Sequence, residues 1–211
     1  MGTATAGTKK KRLYSVHPGV AMVQKWVAEL KQKTGRSLAE WINLIKKEGP
    51  TTAADRSDWL KAKHKLGTNA AWWLAERAAG KGGEEDTPEK YLKTAEKYVE
   101  EMLAGKKAAL RPLYDQLLEL GLGTGSESKA CPCKTIVPLY RNHVFAQIKP
   151  TTNTRIDLGF SLGKMKMPKR LIDTGGFVKG DRITHRIEIT TPADIDAEVK
   201  RWLKTAYDLD A

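Results

Sequence analysis

Cysteine is scarce: the chain holds two in 211 residues, Cys131 and Cys133, too few to staple a secreted scaffold. No run of eighteen apolar residues occurs, so no membrane-spanning helix is expected and no membrane partner. The basic start, Lys9-Lys10-Lys11-Arg12, leads into residues 13 to 18 without the apolar stretch of a secretory leader, so the expected location is cytoplasmic. The P-loop, GxGxxG, HExxH and GxSxG patterns are all missing, and with them any assigned catalytic residue. No segment repeats at a period of 20 to 50 residues, which argues against solenoids and propellers.

What is present is a basic chain able to bury a core. Hydrophobic residues make up 40% and charged residues 29%, and 37 Lys and Arg against 25 Asp and Glu leave a net charge of +12. The excess is even: residues 1 to 104 hold 19 basic and 13 acidic side chains, residues 105 to 211 hold 18 and 12, so each half carries +6. At roughly 150 residues per domain the length points to two small domains.

Residues 1 to 17 read as a disordered basic arm. From Pro18 the pattern turns helical, with Val20, Val23, Val27 and Leu30 on one stripe and a stop at Thr34-Gly35. Ser37-Leu-Ala-Glu40 is a capping box opening a helix with Trp41, Leu44 and Ile45. A third helix near Asp55 carries Trp59 and Leu60, and a fourth after Gly67-Thr68 carries Trp72, Trp73 and Leu74. Residues 18 to 79 thus form a small helical bundle in which the tryptophans serve mainly as core; Trp72 and Trp73 are adjacent and cannot both face inward.

The apolar-free stretch 80 to 87 reads as a linker, and residues 88 to 211 as a second domain, with 88 to 104 a helix that either connects or belongs to it. A helix carrying Leu110, Leu113, Leu117 and Leu120 ends at Gly121. The period then drops to two, and strands are expected near 134 to 140, 144 to 149, 154 to 162 and 182 to 190, the first two joined by Arg141-Asn142-His143 and the first at an edge because of Pro138. A last helix puts Ile195, Val199, Trp202, Leu203 and Ala206 on one stripe. The expected architecture is α+β: a helical bundle, then two layers made of a mainly antiparallel four-stranded sheet and two packing helices.

Several short boxes carry a family resemblance. Thr34-Gly35-Arg36-Ser37-Leu38 with Glu40-Trp41, then Trp59-Leu60-Lys61 and His64-Lys65-Leu66-Gly67, resemble the helical bacterial domain-of-unknown-function family 4287. Lys106 to Tyr114, Lys134, Phe145 to Pro150, Arg155 to Gly159 and Thr184-His185 resemble domain-of-unknown-function family 5655, an α+β domain found behind the first. The resemblance implies an architecture and no activity.

Strand alternation puts Ile156, Leu158, Phe160 and Leu162 on one face and Arg155, Asp157 and Ser161 on the other. It likewise separates Ile183, His185, Ile187 and Ile189 from Arg182, Thr184, Arg186 and Glu188. Arg155, Asp157, Thr184 and Arg186 then share a polar face suited to a phosphate or carboxylate, or else pair across strands as a solvated surface. His185 falls among isoleucines, as a core histidine does. Cys131, Cys133, His143 and His185 match no zinc spacing, so no metal or cofactor is expected. The basic clusters, Lys61 and Lys65 beside the turn at Gly67, and Lys164, Lys166, Lys169 and Arg170 in a loop, suit phosphate contacts or an ordinary solvated surface. They make nucleic-acid backbone or another polyanion the leading expected partner. A small anionic ligand or enzyme site on the sheet face, and a protein-interaction adaptor, are the alternatives.

Overall fold

The computed structural model describes residues 13 to 165 and 169 to 211. The chain divides into two units, Val16–Thr94 and Ala95–Ala211, the latter joined by residues 13 to 15, and the division falls inside one helix.

In the first unit, α1 (Pro18–Thr34) starts at a proline whose fixed φ suits a first helical turn, and His17 Nδ1 accepts from Gly19 N. Gly35 ends it in the left-handed region at φ +80°, which only glycine enters without steric cost. The Ser37/Glu40 capping box then opens α2 (Leu38–Glu48). Thr52 caps α3 (Ala53–His64), which therefore starts two residues ahead of Asp55, and α4 (Thr68–Ala78) follows the turn at Gly67. Leu30, Trp41, Ile45, Leu60, Ala71 and Leu74 make the core, with Trp26, Trp59 and Trp73 packed against it. Leu30, Ile45, Leu60 and Leu74 each contribute about 1.5–3 kcal/mol by leaving water. Trp73 is the inward member of its pair, 4.2 Å from Trp26, and Trp72 is exposed. Residues 80 to 87 fold back on this unit: Asp86 sits against the buried Arg77 guanidinium, and its carbonyl accepts from Gln24 Nε2.

Helix α5 (Pro88–Met102) carries Val99 and Met102 into the core of the second unit. A 3-10 turn, Gly105–Leu110, separates it from α6 (Arg111–Leu122). Among the described residues six antiparallel strands follow: β1 (Lys129–Ala130), β2 (Val137–Tyr140), β3 (Val144–Pro150), β4 (Ile156–Phe160), β5 (Ile172–Asp173) and β6 (His185–Ile189), in the order β1-β2-β3-β4-β6-β5. A four-residue helix α7 (Gly176–Lys179) lies between β5 and β6, and α8 (Ala197–Leu209) closes the chain. Helices α6 and α8 pack on one face of the sheet, over Leu139, Phe145, Ile148, Leu158 and Ile187.

The sheet has six strands where four are expected. The additional two are each two residues long and lie at the outer positions, too short to show a period-two pattern. Pro138 consequently lies one strand in from the edge. Its carbonyl accepts from Cys131 N, just beyond β1, so its missing N–H points to the side where pairing is shortest. Within the segment expected as an arm, Ser15 N donates to Ala130 O and Tyr14 Oη lies 3.1 Å from Tyr114 Oη. The Lys9 to Arg12 cluster lies outside the described residues. Among the described residues no helix is long and apolar enough to cross a membrane.

Candidate functional site

The sheet face turned away from α6 and α8 carries the residues that alternation selects, with one exception. Arg155 lies 2.9 Å from Asp157 Oδ1 and, through its second nitrogen, 2.9 Å from Glu188 Oε1. Arg186 bridges the same two carboxylates at 3.1 and 2.7 Å. Thr151 Oγ1 donates to the remaining Asp157 oxygen at 2.8 Å. The two arginines and two carboxylates close on themselves and cancel in charge, which is the cross-strand pairing that solvated sheet faces make.

Thr184 is the exception, because it is buried. Its hydroxyl accepts from Leu162 N and lies 2.8 Å from His185 Nδ1, tying the end of β4 to the start of β6. The strand expected over 182 to 190 begins at His185, so alternation does not extend back through Thr184. Ile183 accordingly lies over Gly159 on the charged side, where an added Cβ would come within 2.6 Å of it. His185 itself is buried opposite Phe160.

Two members of the basic clusters, Lys61 and Arg170, are claimed by carboxylates. Lys61 pairs with Asp58 at 2.6 Å, and Lys65 lies beyond the end of α3 in the left-handed region, so the two do not share a helix face. Arg170 binds the Asp196 carboxylate and the Asp194 carbonyl, fastening its loop to the start of α8. Lys164 and Lys169 are exposed, and Lys166 lies outside the described residues.

Part of the uncommitted positive charge gathers elsewhere. Each arginine of the second unit sits beside a carboxylate. Of its described lysines only Lys97 and Lys204 do so. Four of the others, Lys106, Lys107, Lys134 and Lys149, line one cleft of about 530 Å³. Three separate segments supply them: the 3-10 turn, the loop before β2, and the end of β3. Lys107 Nζ donates to Pro150 O at 2.6 Å, which ties the turn to the strand end. Thr135, Thr151 and Asn153 add hydrogen-bonding groups, and among the described lining residues Glu101 carries the one carboxylate.

Lys149 explains why the cleft and the sheet face belong together. Its cross-strand neighbour on β4 is Asp157, the natural partner for an ammonium group. Arg155, Arg186 and Thr151 already occupy that carboxylate, and Lys149 is left exposed at the cleft. Ammonium groups around a concavity attract anions and, having three rotatable donors on flexible stems, adapt to phosphoryl oxygens. Alternation cannot find this site, since three of its four lysines are outside strands. The available signal was the resemblance itself, which already included Lys106, Lys107, Lys134 and Lys149.

The other candidates have structural partners. His143 Nδ1 lies 3.0 Å from Asp210 Oδ1 and its backbone N–H donates to Oδ2, pinning the chain end to the β2–β3 turn. Burial pushes the Cys131 thiol up to about 12. Among the described residues no three His, Cys, Asp or Glu side chains group as a metal ion requires. In the first unit the boxed residues build the fold. Trp41 Nε1 donates to Thr34 Oγ1, and His64 stands edge-on to both Trp41 and Trp59.

No curated protein and no solved structure matches the chain. Two domain families do. Residues 22–78 match the domain of unknown function DUF4287, which takes in α2, α3, α4 and most of α1. Residues 99–210 match the domain of unknown function DUF5655, from the last turn of α5 to the end of α8, with the sheet and all four cleft lysines inside. That second match spans just over half of the sequence, and the chain therefore belongs to the DUF5655 family.

Proposed function

We propose that this protein is a cytoplasmic anion-binding module that takes phosphate groups in the four-lysine cleft of its DUF5655 domain. One observation carries the reading: the arginines of the unit are spent on carboxylates, whereas four lysines with no carboxylate partner among the described residues line a single concavity. Low cysteine content supports the location. The sheet face does not lead, because its cations are matched by Asp157 and Glu188. Nucleic-acid backbone and free phosphorylated molecules share the required chemistry.

The test follows binding of tripolyphosphate, a labelled DNA single strand and a labelled duplex to the full chain from 20 mM salt upward, for the native protein and for a Lys106→Gln, Lys134→Gln, Lys149→Gln variant. Binding of at least one probe, weakened about 100-fold or more in the variant, supports the reading; each lost charge-assisted contact costs roughly tenfold. Absence of binding by all three probes at low salt, or equal binding by the variant, overturns it.

A further inference from the structure

Resting on that phosphate-binding reading, we infer that the ligand of the cleft is a compact oligophosphate, two or three linked phosphoryl groups on a small molecule, and not a nucleic-acid strand. The first argument is the local supply of cations at the cleft, which Lys129, Lys164, Lys169, Lys179 and Lys200, also without a carboxylate partner among the described residues, do not line. Tight binding to duplex DNA through its backbone draws on some six to ten phosphate contacts laid along a track. Here the arginines that would extend such a track are held by carboxylates: Arg155 and Arg186 on the sheet face, Arg111 by Glu100 and Asp115 beside the 3-10 turn, and Arg170 by Asp196. Four lysines remain at the cleft, and one of these, Lys107, already spends a donor on Pro150 O.

The second argument is the lining. Grooves for single strands offer aromatic side chains on which bases stack, and no aromatic side chain is among the described residues lining the cleft. Its volume of about 530 Å³ falls in the range of small-ligand sites, roughly 300–1,000 Å³. Charge matches as well. Four lysines against Glu101 leave a lining charge of +3, close to that of two or three linked phosphates near neutral pH.

The sheet-face network takes a role in this arrangement. By saturating Asp157, Arg155 and Arg186 keep Lys149 from pairing across the strands, and Asp157 in turn holds the Thr151 hydroxyl at the cleft rim. Arg155 and Arg186 are thus positioning residues that do not themselves touch the ligand.

The experiment is calorimetric titration of the full chain with tripolyphosphate at 150 mM salt, with displacement of a labelled 20-nucleotide single strand and its duplex measured alongside. One tripolyphosphate per chain is expected, with affinity falling about tenfold in Lys134→Gln and again in Lys149→Gln. Strands should bind at least tenfold more weakly and be displaced by tripolyphosphate. Arg155→Gln should lower tripolyphosphate affinity, and adding Asp157→Asn should restore it; loss without rescue would mean that the arginine itself contacts the ligand and overturns its positioning role. Amide shifts at Lys134, Lys149 and Thr151 on adding tripolyphosphate to the native protein locate the site should a variant lose its fold, and shifts confined elsewhere would overturn the assignment. Strand binding that tripolyphosphate cannot displace, lost on substitution of the cleft lysines, would overturn the compact ligand and leave the phosphate-binding reading standing. Failure of every probe to bind would remove both.

Discussion

Two clusters of positive charge stand side by side in the DUF5655 domain. On the sheet face, Arg155 and Arg186 each reach both Asp157 and Glu188. In the adjoining cleft, Lys106, Lys107, Lys134 and Lys149 face no carboxylate partner among the described residues. Both hold cations and both are partly open to solvent, yet their chemistry differs. A guanidinium opposite a strand carboxylate already has its counter-ion, whereas ammonium groups gathered from three segments have no fixed one. Availability, more than the number of cations, separates a structural charge cluster from a binding one.

That contrast is open to a crossed test, and it carries the largest expected effects. Asp157→Asn removes the shared counter-charge from two partly buried arginines. It should cost about 2 kcal/mol in urea unfolding, at the lower end for a disrupted ion-pair network because the arginines keep some solvent contact. Tripolyphosphate affinity should not fall. Lys149→Gln should do the reverse, with stability within about 0.5 kcal/mol of native and phosphate affinity down about tenfold. If both substitutions move the same quantity, the two clusters are one functional unit and the distinction fails.

A smaller effect follows from Glu188. The hydrogen bond from Arg186, aided by the charge of Arg155, holds its carboxyl below the ordinary value of 4.5. A group depressed in the folded state stabilises fully above its ordinary pKa and loses that contribution as pH falls through the folded value. Unfolding midpoints taken from pH 6 down to 3 should therefore decline below about 4.5, and Glu188→Gln should flatten part of that decline. An identical decline in the variant would show that the sheet-face pairing adds nothing in solution.

Much of the architecture is legible in the sequence, because helix signals are local. Pro18, Ser37, Glu40 and Gly35 act within one turn of where they stand, and α1 and α2 fall where those residues put them. The four longer strands are legible for the same reason, while β1 and β5, two residues each, exist only through their partners. The site was harder. Period-two reasoning correctly placed Arg155, Asp157 and Arg186 on one face, and it overran at Thr184, where the strand had not yet begun. It had no access to which cation meets which carboxylate, since Glu188 is 33 residues from Arg155. The cleft lysines come from positions 106 to 149 and meet only through the packing of the 3-10 turn against the end of β3.

The helical unit extends the comparison, since its His64 stands against aromatic rings where the cleft lysines are open. His64 stands edge-on to Trp41 and Trp59, with ring centroids 5.3 and 4.6 Å away. Burial, reinforced by the charges of Arg36 and Lys63 and opposed by Glu48, pushes its pKa below the ordinary 6.5. The folded unit therefore favours the neutral ring. Its stability is complete above pH 6.5 and declines as pH drops toward the folded value, because the unfolded chain takes up the proton first. His17, also lowered by burial, acts in the same direction, since its Nδ1 must stay unprotonated to accept from Gly19 N. Urea unfolding followed by tryptophan fluorescence should show a lower midpoint at pH 5.5 than at 7.5. His64→Gln should remove part of the difference, and adding His17→Asn, which keeps a capping acceptor, most of the rest. An undiminished difference in the double variant would place the pH response outside this aromatic cluster and leave the shielding of His64 without energetic consequence.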